Sequence, residues 1–164
     1  MDKKYLVDQL VAELRASTRA ALSASEVAGA EVRDGATPAE KREDARAALE
    51  FGALAGAHNR RARRAQGEID VLLGFRPTPW RPGAPVATGA VVEVEDADTR
   101  QGRTFFLAPA GAGITLVGPD GDGFLSVVTA ASPIGRAVLG RHLGDVVDVT
   151  VEGEAREWTI TWIG

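Results

Sequence analysis

Apolar positions recur along this chain with two different periods, and the period changes near Gly74. Upstream, Val7, Leu10, Leu14, Ala21, Ala24 and Ala28 follow a spacing of three and four that weakens at Ser17. Ala48, Phe51, Ala55, His58, Ala62, Ala65, Ile69 and Leu72 keep the same alternation more strictly. That spacing is the seam of a coiled coil, so the two stretches predict long helices that zip together. Between them, Arg33-Asp34-Gly35-Ala36 is a turn signal, and Thr37-Pro38-Ala39-Glu40 has the N-cap Thr, N1 Pro and N3 Glu of a capping box. The chain is therefore expected to reverse near residues 31–37 and to continue as a helix from Pro38 to Leu73. Such a helix is roughly 50 Å long at about 1.5 Å per residue, longer than a small domain needs for cover. An antiparallel helical hairpin over residues 1–75 would have to project into solvent or a partner, and its Ala-rich seam would make a thin rod.

Downstream the period drops to two. Strands are predicted at Ala90–Val94, Arg103–Leu107, Gly113–Val117, Phe124–Val128, Val146–Val151 and Glu157–Ile163. In the last two, Val147, Val149 and Val151 alternate with Asp148, Thr150 and Glu152, and Trp158, Ile160 and Trp162 alternate with Glu157, Thr159 and Thr161; Gly153 links them. This pattern puts both tryptophans on one strand face, which reads as core in preference to a binding pocket. Ser132-Pro133 opens one short helix through Ile134 to Leu139, before Gly140. All but one of the eight prolines lie after residue 75, and the run Arg76 to Pro85 reads as an extended linker. The fold class is α+β: a coiled-coil hairpin with an acidic tip near 31–44, a Pro-rich linker over 76–85, and an antiparallel sheet domain with one short helix over 86–164.

Composition narrows the chemistry. The 164 residues include no cysteine and two histidines, which removes disulfides, thiolate catalysis and any Cys-ligated metal and argues against a self-contained zinc site. A net charge of −4 argues against coating duplex nucleic acid, which takes a surplus of Lys and Arg. With no long apolar run and a polar start from Met1 to Tyr5, a cytoplasmic protein without membrane contact is expected.

Phe124-Leu125-Ser126-Val127-Val128, then Ala131-Ser132-Pro133-Ile134-Gly135-Arg136-Ala137-Val138-Leu139-Gly140, then Leu143-Gly144-Asp145-Val146 resembles the C-terminal domain of Gre-type transcript cleavage factors. With the helical hairpin placed first, the resemblance spans essentially the whole chain. It implies an FKBP-like C-terminal domain docked at the rim of the RNA polymerase secondary channel, with Ser132, Pro133, Ile134, Gly135 and Arg136 as polymerase-binding residues. It also implies a hairpin reaching toward the active centre. A monomer that meets nucleic acid only indirectly or near the RNA 3′ end is expected. The tip departs from the family pattern. Where typical factors open the second helix with Asp-Leu-x-Glu-Asn-Ala-Glu-Tyr, this chain reads Glu40-Lys41-Arg42-Glu43-Asp44-Ala45-Arg46, without the Asn and Tyr.

Glu40, Glu43 and Asp44 stand at i, i+3 and i+4 on one helix face, and Glu31 and Asp34 flank the turn. In a factor that stimulates the polymerase's own RNA cleavage, Asp44 with Glu43 or Glu40 would be the catalytic acids. Asp44 and Glu43 would hold an Mg²⁺ shared with the polymerase. Acids in a first helical turn also complement the macrodipole with no further purpose, and Lys41, Arg42 and Arg46 weaken metal affinity. A non-cleaving regulator of the same channel is the alternative. Arg60, Arg61, Arg63 and Arg64 are either a phosphate- or acid-facing surface or a solvated coiled-coil face. His58 reads as a polar seam residue, and Ser132 as an N-cap with no paired base. A prolyl isomerase and a self-associating coiled coil are the remaining classes; no aromatic-lined proline pocket is apparent for the former.

Overall fold

The computed structural model describes residues 3–31, 41–118, 121, 123–151 and 153–164. It contains two long helices, α1 (Lys3–Glu31) and α2 (Lys41–Gly74), followed by six strands and a short helix. The expected turn at 31–37 and the capping box at Thr37–Glu40 fall outside the described residues, apart from Glu31 at the end of α1. Among the described residues no helix is long and apolar enough to cross a membrane. The chain divides into two compact units, Ala12–Asp70 and a second formed by Met1–Val11 together with Val71–Gly164.

The second unit is built on β1 (Val91–Asp96), β2 (Gly102–Leu107), β3 (Thr115–Val117), β4 (Phe124–Val128), β5 (Val146–Val151) and β6 (Glu154–Ile163), in spatial order β3-β4-β2-β1-β6-β5. The sheet is mixed rather than wholly antiparallel as expected, because β4 pairs parallel to β2, with Phe106 beside Val127. The reason is topological. β3 and β4 form a hairpin with Leu116 opposite Leu125, and its second strand takes the inner position, so β4 must run along β2 while β3 becomes the edge.

One face of the sheet carries a core of Val92, Val94, Phe105, Leu107, Val147, Val149, Trp158, Ile160 and Ile163, covered in part by Val138 of α3 (Pro133–Val138) and by Trp80. Trp80 also donates its indole N–H to the Ala84 carbonyl at 2.8 Å, which folds the Pro-rich segment onto this core. On the other face Val91, Phe106, Val127, Leu116 and Leu125 are buried as well. Here the first turns of α1 supply cover. Leu6 and Leu10 are fully buried, a Cβ on Gly111 would fall 2.7 Å from Leu10 Cδ1, and Gln9 Oε1 accepts from the Val117 N–H at 2.7 Å. Val117 lies on edge strand β3, so Gln9 also satisfies a donor that the edge leaves open. Lys3 is tied to the Thr78 carbonyl at 2.9 Å, and burial lowers its pKa.

The two tryptophans part company on β6. Trp158 is 1% exposed, whereas Trp162 is 40% exposed, against the expectation of a shared face. Opposite β6, Val94 pairs with Ile160 and Glu93 with Trp162, so the ladder slips by one residue at Thr161. Because side chains alternate with period two, this bulge sends Trp162 to the Glu93 side and returns Ile163 to the core. The Trp162 ring then lies over Gly164, where a Cβ would collide with it.

Candidate functional site

The segment carrying the family-like motif is fixed by its own backbone chemistry. Ser132 caps α3: its hydroxyl accepts from the Gly135 N–H at 3.0 Å and donates to the Thr129 carbonyl at 2.8 Å. Pro133 follows at N1, where no amide hydrogen is needed. Gly135 is buried so close to Thr129 that a Cβ would collide with the carbonyl oxygen. Ile134 packs on the core. Of the five residues expected to bind a partner, Ser132, Ile134 and Gly135 therefore serve the corner itself, while Pro133 and Arg136 are exposed. The corner also exposes Leu139, Leu143 and Val146. Sequence reasoning did not single these out, although three large apolar residues around the Gly140 and Gly144 turns were visible in it.

A carboxylate next to this core has a defined electrostatic state. Asp96 closes the turn after β1, accepting from the backbone N–H groups of Thr99 at 2.9 Å and Asp98 at 3.0 Å. Its second oxygen accepts from Trp158 Nε1 at 3.2 Å and faces Arg156 at 3.3 Å. The Thr99 hydrogen bond above all, with Trp158 and Asp98, holds its carboxyl well below the usual carboxylate range against the opposing cost of burial. Phe105 stacks on Trp158 at 5.8 Å, and the Arg103 guanidinium sits 5.7 Å from the Trp158 ring centre. Every polar group in this cluster has a structural partner, so it reads as a fastening of the sheet rather than a reactive site.

In the helical unit, Leu14, Ala21, Ala62, Ala65 and Ile69 are buried as the seam predicts. Ser25 reaches the other helix, donating to the Ala55 carbonyl at 3.4 Å. Ala24, Phe51, Ala55 and His58 are only half-buried, so the seam opens over this stretch. Arg60, Arg61, Arg63 and Arg64 are all exposed, and no ion pair among the described residues holds them. Counting equal steps from the Ser25–Ala55 contact puts Arg19 level with Arg61 and Arg15 level with Ala65. No acid occurs between Glu13 and Glu26 on α1 or between Glu50 and Glu68 on α2. The arginines thus form an uncompensated basic belt on a chain whose net charge is −4.

Glu40 and Asp34 lie outside the described residues. Glu43 and Asp44 belong to the first turn of α2 and Glu31 to the end of α1, but their side chains are likewise outside the described set. Arg46 on the same turn region is exposed and faces Glu50 at 3.8 Å.

The comparisons with known proteins agree with the sheet. Residues 82–164 match the family model "Transcription elongation factor, GreA/GreB, C-term". The transcription elongation factor GreA of Methylobacterium sp. (strain 4-46) is 33% identical over 82 residues, 49% of this chain and 46% of that protein. GreA of Desulfovibrio desulfuricans is 36% identical over 70 residues, 42% of this chain and 38% of its own length. The matched region spans about half the length of these curated relatives, or less. Among solved structures, GreA factor homolog 1 (Gfh1) of Thermus thermophilus is 19% identical, with a TM-score of 0.39 over 96% of this chain and 94% of that one. At that TM-score the likeness adds no weight. The assignment rests on the family model, which takes in just over half of the chain, including β1 to β6 and the Ser132 corner: the chain belongs to the GreA/GreB family of transcription elongation factors.

Proposed function

We propose that this protein binds RNA polymerase through the exposed side of the α3 corner and inserts its helical hairpin into the secondary channel, where it stimulates cleavage of backtracked RNA. The observation that carries this reading is the family match over the whole sheet, preceded by helices of 29 and 34 residues. Pro133, Arg136, Leu139, Leu143 and Val146 supply the docking surface, an apolar patch with a basic edge. Glu43 and Asp44, in the first turn of α2, with Glu40 just ahead of it in sequence, offer hard oxygen donors of the kind Mg²⁺ takes. Asp44 with Glu43 or Glu40 would hold an Mg²⁺ shared with the polymerase, which would supply charge stabilisation at the scissile phosphate. The basic belt would face phosphates or acidic polymerase residues along the way.

The alternative, a non-cleaving regulator in the same channel, is favoured by Lys41, Arg42 and Arg46 interleaved with the acids, since nearby cations oppose metal binding. One assay separates the two. Incubated with a defined backtracked elongation complex, the wild type should release short 3′ RNA fragments. Asp44→Asn should retain binding and lose cleavage, with partial recovery at raised Mg²⁺. If the wild type demonstrably occupies the polymerase and releases no fragments, the regulator reading stands.

A further inference from the structure

The open part of the helical seam is a groove of about 630 Å³. Ala20, Ala24 and Val27 of α1 and Phe51 and Leu54 of α2 make its walls, with Ser23 and His58 as the polar lining. It is not a closed cavity: Val27 is 62% exposed and Leu54 48% exposed. Two roughly parallel helix faces with apolar residues at turn spacing form the kind of trough that takes a third helix, through anchors at i, i+3, i+4 and i+7.

Charge selects the occupant. Arg19 lies one turn from Ser23, and Arg61 one turn from His58, so a guanidinium stands at one end of the groove on each helix. At the other end Glu26 lies one turn from Ser23 and Glu50 one turn from Leu54, but Arg46 faces Glu50 at 3.8 Å. The groove is therefore apolar along its floor, and the cations that no ion pair among the described residues holds stand at the Arg19 and Arg61 mouth. We propose that it docks an acid-bearing amphipathic α-helix of a partner protein, laid along the seam with its carboxylate end at Arg19 and Arg61. That orientation also places the negative end of the partner's helix dipole at the arginines if the carboxylates lie in its last turn. The two arginines would pair with carboxylates, for which a planar guanidinium is well shaped. This site is separate from the α3 corner and the acidic tip and shares Arg19 and Arg61 with the basic belt, and it goes beyond the polymerase reading by assigning the apolar groove an occupant.

The test uses the full chain without polymerase. A fluorescein-labelled amphipathic peptide of about 20 residues, with leucines at i, i+3, i+4 and i+7 and glutamates in its last turns, is titrated by anisotropy. Two controls share its length: one with lysines in place of the glutamates, the other with the same acids and its leucines replaced by serine. The acidic amphipathic peptide should bind, and both controls should bind at least about tenfold more weakly. Leu54→Glu, at an exposed position, should abolish binding while circular dichroism shows the helices intact. Arg19→Glu combined with Arg61→Glu should weaken the acidic peptide by roughly fivefold or more and strengthen the lysine peptide. Equal binding of the serine control would overturn the proposal in favour of a general anion surface. Binding that survives Leu54→Glu would overturn it by placing the peptide elsewhere, and failure of the acidic peptide to bind would overturn it directly.

Discussion

The sheet core and the open stretch of the helical seam are built from similar apolar residues but finished to different degrees. In the sheet, Trp158 is enclosed by Phe105 stacked on its face, Arg103 at its ring and Asp96 on its indole nitrogen, so both its apolar body and its polar tip are satisfied. In the helical unit, Phe51 is half-buried beside a groove that it lines together with the small residues Ala20, Ser23 and Ala24. A region whose side chains are all partnered is constrained to one arrangement. A region that leaves a trough between two helices keeps surface available for something else.

The largest expected effect tests the finished side. Trp158→Ala should cost about 3–5 kcal/mol in urea denaturation, because it empties a filled core position and removes one of the donors to Asp96. Phe51→Ala should cost about 1 kcal/mol, since part of its surface is already in water. Equal costs would erase the distinction.

Gly135→Ala should come next, at about 2 kcal/mol or more, because the added Cβ meets the Thr129 carbonyl and forces the corner open. The same variant should weaken polymerase binding on the proposed reading, whereas Arg136→Ala should weaken binding and leave the melting temperature within about 2 °C. A thermal melt with a parallel binding assay checks both.

Within the seam, Ala62→Leu should cost about 1–3 kcal/mol and Ala55→Leu less than about 1 kcal/mol, because Ala62 is enclosed and Ala55 borders the open stretch. The ratio measured by thermal unfolding sharpens where the seam opens.

The last prediction concerns slope rather than size. Asp96 is held below the usual carboxylate range when folded, so it stabilises the native state above about pH 4, and that contribution is lost as pH falls further toward its folded value. Asp96→Asn should be less stable than wild type at neutral pH, and its stability should fall less steeply between about pH 4 and pH 2. Parallel slopes would mean that Asp96 carries no linked proton.

Much of this fold was legible because periodicity is local. The switch from steps of three and four to steps of two near Gly74 separates the helices from the strands, and Ser132-Pro133 marks α3 because capping needs only neighbouring atoms. The Ala62, Ala65 and Ile69 seam followed from the same counting. Glu40, Glu43 and Asp44 share a helix face by the same local spacing of three and four. What depended on distant partners could not be read this way. The slip at Thr161 that turns Trp162 outward is set by pairing with Glu93 and Val94, far back in the chain. The parallel β2–β4 pair follows from which strand of a hairpin takes the inner place. Leu6 and Leu10 join the unit that contains residue 111 because a sheet face left bare would expose Phe106 and Val91 to water, and nothing near residues 6 or 10 announces that need. Local sequence determined the elements and their caps, because these need only neighbouring atoms, while register, strand order and the position of the groove were decided by contacts between residues far apart in the chain.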